Sequence, residues 1–238
     1  MRRSKTVSVD TSKLNKNIIR ARVDRKWQEY KLCNFPKGFI EWRIDRWRQL
    51  INGKLRMYLG AHCGCVATYG FPRSDSLFHI NNAAKGVTFL PKPNRIISVN
   101  RELEAVSGDK EQRIKLFNKY YAKFGYYFDS KRLVSLEEFT TPAFQTQTYI
   151  NQVRNPACSI VFLDFPSYEL KTVSQIIYPD DPDISDYEKE VIKYTNMMHA
   201  MGHGRVCSKM LITVVYHIVE AFNNTPQKNK TGSRICPK

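Results

Sequence analysis

Met210-Leu-Ile-Thr-Val-Val-Tyr-His-Ile-Val-Glu-Ala-Phe222 is the longest apolar run of the chain. His217 and Glu220 interrupt it, and it is well short of the roughly 20 residues that a membrane-spanning helix needs. Its length and continuous hydrophobicity predict a buried helix from about Val206 to Phe222. The segment before it, Ser185-Asp-Tyr-Glu188, has the form of a capping box. There a serine accepts from the backbone N–H three residues on, and the glutamate reaches back. Tyr187, Val191, Tyr194 and Met198 follow at helical spacing, and Gly202-His-Gly204 breaks the pattern. Together these predict a C-terminal helix pair.

Upstream, Ser159-Ile-Val-Phe-Leu163 reads as a buried strand. Between Leu55 and Asn100 the texture is of short β-branched and aromatic runs separated by Gly, Pro and Asn. Arg56–Leu59, Cys65–Tyr69, Leu77–Ile80, Gly86–Leu90 and Ile96–Val99 are the expected strands of an antiparallel sheet. Tyr126-Tyr-Phe128, Leu133–Phe139 and Tyr149–Val153 add weaker strand signals. A helix over Lys110–Phe124 is signalled by Asp109 at the cap and Gln112 in the capping-box position.

Two helices are expected to open the fold. In the first, Ser12 caps a stripe of Ile19, Val23, Trp27 and Tyr30. In the second, from about Phe39 to Ile51, the inward stripe is Ile40, Ile44, Trp47 and Ile51. The fold class is therefore α+β, with N-terminal helices, a central and mainly antiparallel sheet, and a C-terminal helix pair. Residues 1–11 are expected as a basic flexible arm, 12–224 as a single domain and 225–238 as a basic flexible tail.

Charge is unevenly placed. The 238 residues carry 38 Lys and Arg against 22 Asp and Glu, a net +16, and residues 1–56 alone hold 16 basic against 5 acidic side chains. A surface of that kind attracts polyanions, so the expected partner is RNA or single-stranded DNA held through its phosphates. Lys13, Lys16, Arg20, Arg22, Arg25, Arg43, Arg46 and Arg48 supply the charge. Trp42, off the inward stripe of its helix, is the stacking candidate. Lys115, Lys119 and Lys123, four residues apart, form a second basic row about 6 Å apart along a helix.

The alternative is a metal-dependent enzyme, a nuclease or a zinc enzyme. His62-Cys-Gly-Cys65 and the pair His199 and His203 offer ligands of the kind zinc prefers, giving the candidate set Cys63, Cys65, His199 and His203. Asp129, Glu137, Glu138 and Asp164 are the carboxylates a nuclease would draw on, although their spacing fits no metal scheme. A third reading is a ribonucleoprotein or viral assembly subunit, which would add homo-oligomer or other assembly partners.

Several classes are disfavoured by the sequence. The Gly-x-x-x-x-Gly-Lys loop, the strand-linked Gly-x-Gly-x-x-Gly, the Gly-x-Ser-x-Gly elbow and His-Glu-x-x-His are all missing. No membrane association is expected. The opening residues lack the apolar core of a secretory signal, which favours an intracellular location, cytoplasm or nucleus, with organellar import as the alternative for so basic a start. The six cysteines are then expected as thiols or ligands.

Overall fold

The computed structural model describes residues 8–52, 54, 62–141, 143–203, 209–226 and 232–236, without the side chain of His203. Its class is α+β, as expected, and several elements differ from the sequence reading. β1 (Val9–Asp10), β2 (Ile18–Val23) and β3 (Lys26–Lys31) form a three-stranded antiparallel sheet where the first helix was expected. Ile19, Ala21 and Val23 are buried at every second position, the period of a strand. The hairpin turns at Asp24-Arg25, both with positive φ (48° and 68°), which matches the right-handed twist of the flanking strands.

α1 (Lys37–Ile51) begins after Pro36 and ends at Asn52, close to the expected span. β4 (Cys63–Tyr69), β5 (Ile80–Gly86) and β6 (Thr88–Pro91) follow. The expected Arg56–Leu59 strand lies outside the described residues. α2 (Ile96–Ala105) stands where a strand was expected. In α3 (Lys110–Ala122) Asp109 caps as anticipated, accepting from the Gln112 N–H at 3.0 Å. A single turn, α4 (Phe124–Tyr127), leads into β7 (Phe128–Leu136).

α5 (Gln147–Arg154) replaces the weak Tyr149–Val153 strand, because Thr146 accepts from the Tyr149 N–H at 3.2 Å and starts a helix. β8 (Ala157–Phe162), β9 (Tyr168–Ile177) and α6 (Asp186–His203) come next. The capping box at the start of α6 forms as read: Glu188 N–H donates to Ser185 Oγ at 3.3 Å, and Ser185 N–H to Glu188 Oε2 at 3.0 Å. The deciding run is not a helix. It is β10 (Thr213–Asn223), and β11 (Ser233–Arg234) pairs with its far end.

The large sheet has the order β5-β4-β8-β9-β10-β7-β6, with every pairing antiparallel. It curls so that Lys85 of β5 meets Glu137, just past β7, at 2.7 Å. One face carries Ile160, Phe162, Leu170, Tyr216 and Ile218 into the main core, where Phe39 and Trp42 of α1 join them. On the other face Val173, with Ala157 and Val219, packs against Ile19, Ala21, Val23 and Leu32 of the N-terminal hairpin. β10 is thus covered on both sides. Such a strand reads as an unbroken apolar run, and its sequence loses the alternation that would mark it as β. No described helix is long and apolar enough to cross a membrane.

Candidate ligand cavity

α1 is buried along a face the apolar stripe did not indicate. Phe39, Trp42 and Arg43 are its buried residues, while Ile40, Ile44 and Trp47 pack more loosely. Trp42 was the stacking candidate. It is instead a core residue whose indole N–H donates to Asp164 at 3.0 Å and whose ring lies 5.6 Å from those of Phe162 and Tyr168.

Arg43 and Arg46 lie one turn apart and have opposite surroundings. Arg46 donates to Asp164 from Nε at 2.6 Å and from Nη2 at 3.3 Å. Burial works against the Asp164 charge, but hydrogen bonds from the Phe165 N–H, Arg46 and Trp42 hold its carboxyl below the usual range. Arg43 has only 5% of its surface exposed. Its Nη2 donates to the Val87 carbonyl at 2.8 Å, and its Nε and Nη1 have no hydrogen-bond partner among the described residues. The guanidinium sits 4.5 Å from the Phe89 ring centre, 5.2 Å from Phe162 and 5.7 Å from Phe39.

Ring contacts of that kind return about 2 kcal/mol when desolvated. Taking an ion out of water costs several kcal/mol, so the rings leave a deficit. Burial pulls the Arg43 pKa down to about 10, which still leaves it protonated at neutral pH.

Arg43 lines a cavity of about 490 Å³ enclosed by α1, α3, α6 and the β6–β7 wall. Trp47 from α1, Phe117 and Tyr121 from α3, Phe89 and Val134 from the strands, and Met198 from α6 make most of it apolar. Trp47 packs against the Phe117 and Tyr121 rings at 5.1 and 4.9 Å. Burial pushes the Tyr121 hydroxyl up to about 12, so it remains a neutral phenol. Arg46, Lys110 and Arg113 add positive charge and His62 and His199 add imidazoles, but no carboxylate is among the described lining residues. A second hollow, about 820 Å³, opens between the N-terminal hairpin and the sheet, lined by Glu29, Lys171, Glu220 and Arg234 among others.

The remaining expected site residues are dispersed. Lys13 pairs with Glu29 at 2.5 Å, and Arg20 with Asp10 at 3.1 Å and Glu29 at 3.4 Å. Lys16 follows in a short 3-10 turn, Arg22 is an exposed residue of β2, and Arg25 stands in the hairpin turn. Arg48 is exposed on α1. Lys115, Lys119 and Lys123 are exposed as expected on and just after α3, with Lys119 paired to Glu102 at 2.7 Å. Lys13, Lys16, Arg20, Arg22 and Arg25 thus lie on and around the N-terminal hairpin and not on the first basic helix expected for them.

Of the metal candidates, Cys63 and Cys65 lie on β4, His199 on α6 approaches Glu138 at 3.6 Å, and the His203 side chain lies outside the described residues. No group of three or more His, Cys, Asp or Glu among the described residues is placed to hold a metal ion, so the zinc set is not supported. The other nuclease candidates are engaged elsewhere: Glu137 with Lys85, Asp129 with Arg132 and Asp164 with Arg46. Residues that the sequence did not single out for the site, including Phe89, Arg113 and Val134, complete the cavity.

No family model matches the chain, and no curated protein matches it. Among solved structures it is similar to a Clostridium acetobutylicum protein related to general stress protein 26 of B. subtilis, of the pyridoxinephosphate oxidase family. The TM-score is 0.40 at 9% identity, covering 83% of this chain and 95% of that one. It is also similar to HutZ, the heme storage protein from Vibrio cholerae, with TM-score 0.35, 9% identity and coverage of 84% and 96%. A NimC/NimA family protein from C. acetobutylicum gives 0.30, 7%, and coverage of 85% and 99%.

The nucleic-acid reading is corrected by where the structure places its residues. Of the residues chosen for that role, Trp42 and Arg43 are buried and Arg46 is committed to Asp164.

Proposed function

We propose that the protein binds a small organic molecule with a flat, apolar body in the cavity between α1, α3, α6 and the sheet. The observation that carries this reading is the cavity itself: about 490 Å³ walled by Trp47, Phe89, Phe117, Tyr121 and Met198. That size lies within the range of sites for cofactor-sized and drug-sized molecules, which are mainly apolar with a few polar groups that fix orientation. Aromatic walls favour a ring system that can stack or meet them edge-on.

The test is isothermal titration calorimetry with 2-naphthol, a neutral bicyclic probe. Saturable binding is expected at one site per chain, and Met198→Trp, which fills the cavity from α6, should abolish it. Heat that never saturates, or binding unchanged in Met198→Trp, would overturn the proposal.

A further inference from the structure

We infer that the molecule held in this cavity carries an anionic group, a carboxylate or a phosphate, and that Arg43 is its receptor. The inference rests on the cavity being a ligand site and names the chemical class of the ligand. Three observations converge on it. Arg43 is buried on the cavity wall with Nε and Nη1 unpartnered among the described residues, an arrangement that costs stability unless an acceptor arrives. An arginine does not escape that cost by losing its proton, as a lysine or histidine can. Asp164, the carboxylate that meets the neighbouring turn of α1, already accepts from Arg46 and Trp42.

The surrounding charge points the same way. Lys110 and Arg113 stand on the first turn of α3, and no carboxylate is among the described lining residues. An entering anion therefore meets only positive or neutral groups there. Within apolar walls such attraction is screened less than at an open surface. The guanidinium fork suits the oxygens of either a carboxylate or a phosphate, and the inference concerns the chemistry they share.

The deciding experiment is calorimetric titration of the full chain with three probes built on one ring system: 2-naphthol, 2-naphthoate and 2-naphthyl phosphate. At least one anionic probe should bind ten times or more tightly than 2-naphthol, and comparison of the two anions separates carboxylate from phosphate recognition. Arg43→Met should remove the anion preference, so that within that variant the anionic probes bind no more than twofold more tightly than 2-naphthol, and Arg43→Lys should retain part of it. Should Arg43→Met fail to fold, the wild-type ratio and Arg43→Lys still decide the question. Equal affinity for neutral and anionic probes, or a preference that survives loss of the guanidinium, would overturn the inference and leave the cavity reading standing. Failure of every probe to saturate would overturn both.

Discussion

The two hollows of this molecule differ in a way that volume does not capture. The second is larger, about 820 Å³ against about 490 Å³. Its charges, however, are largely settled within the chain. Arg234 pairs with Glu220 at 2.9 Å, Lys171 pairs with Glu169, and Glu29 takes Lys13 and Arg20. The smaller one holds a desolvated guanidinium with two nitrogens unsatisfied and no carboxylate among the described lining residues. What sets the smaller cavity apart is a charge that the fold has buried without compensating it among the described residues.

The strongest way to break this contrast is to supply the missing counter-ion. Met198→Glu places a carboxylate on the wall of the smaller cavity. A carboxylate about 6 Å from a bound anion, at an effective dielectric of about 20, opposes it by about 2.8 kcal/mol, or about a hundredfold in affinity. Binding of 2-naphthoate should fall by about that factor or vanish. Ala67→Glu, in the wall of the second hollow, should change it less than twofold. Equal losses in the two variants would mean that the anion is not held where Arg43 is.

A smaller effect sharpens the reason why Arg43 is exceptional. His217, fully buried on β10, shows how the same fold treats a base that can lose its proton. Burial, reinforced by the Arg132 charge, pulls its pKa down to about 3 from 6.5. The folded state therefore holds His217 neutral, with Nε2 3.0 Å from Gln175 Oε1. Because the folded pKa lies below the unfolded one, the unfolded chain takes up more protons as pH falls. Stability is full above pH 6.5 and is lost progressively toward pH 3. By pH 5 the loss from this group is about 2 kcal/mol. Denaturant titrations at pH 7.5 and pH 5 should show that loss in the wild type beyond whatever His217→Gln shows. An identical acid response in the two proteins would mean that His217 does not set it.

How much of this was legible in the sequence follows from the range of each interaction. α3 and α6 were readable because the cap is local: Asp109 with Gln112, and Ser185 with Glu188, act over three residues. α1 was readable from Pro36 and its helical spacing. Its buried face was misplaced because a stripe is found by its apolar residues, and here the buried set includes Arg43.

The N-terminal hairpin was missed for a different reason. Ile19, Val23, Trp27 and Tyr30 happen to recur at helical intervals, while the turn that reverses the chain uses Asp24-Arg25 and lacks the glycine or asparagine that usually signals it. β10 was missed because the hairpin that covers its outer face comes from the other end of the chain. The run Ile212-Thr-Val-Val215, rich in β-branched residues, was the signal available. Arg43 was picked out for its charge, but a sequence does not show whether a charge will be buried without a counter-ion.

The smallest expected effect asks whether imbalance of charge is sufficient without desolvation. Glu220→Gln removes the partner of Arg234 and leaves an uncompensated cation beside the second hollow. Both side chains are about one-third exposed, so solvent reaches the guanidinium in either protein. An exposed pair of this kind contributes little, because water replaces what the partner gave. The variant should unfold at the wild-type midpoint within experimental scatter and show no second site in a titration with 2-naphthoate. A new saturable site would break the comparison, since it would mean that an unpaired cation lining a hollow is enough. Its absence, with the Arg43 cavity still occupied, ties anion binding to a cation that the fold buries rather than leaves at the surface.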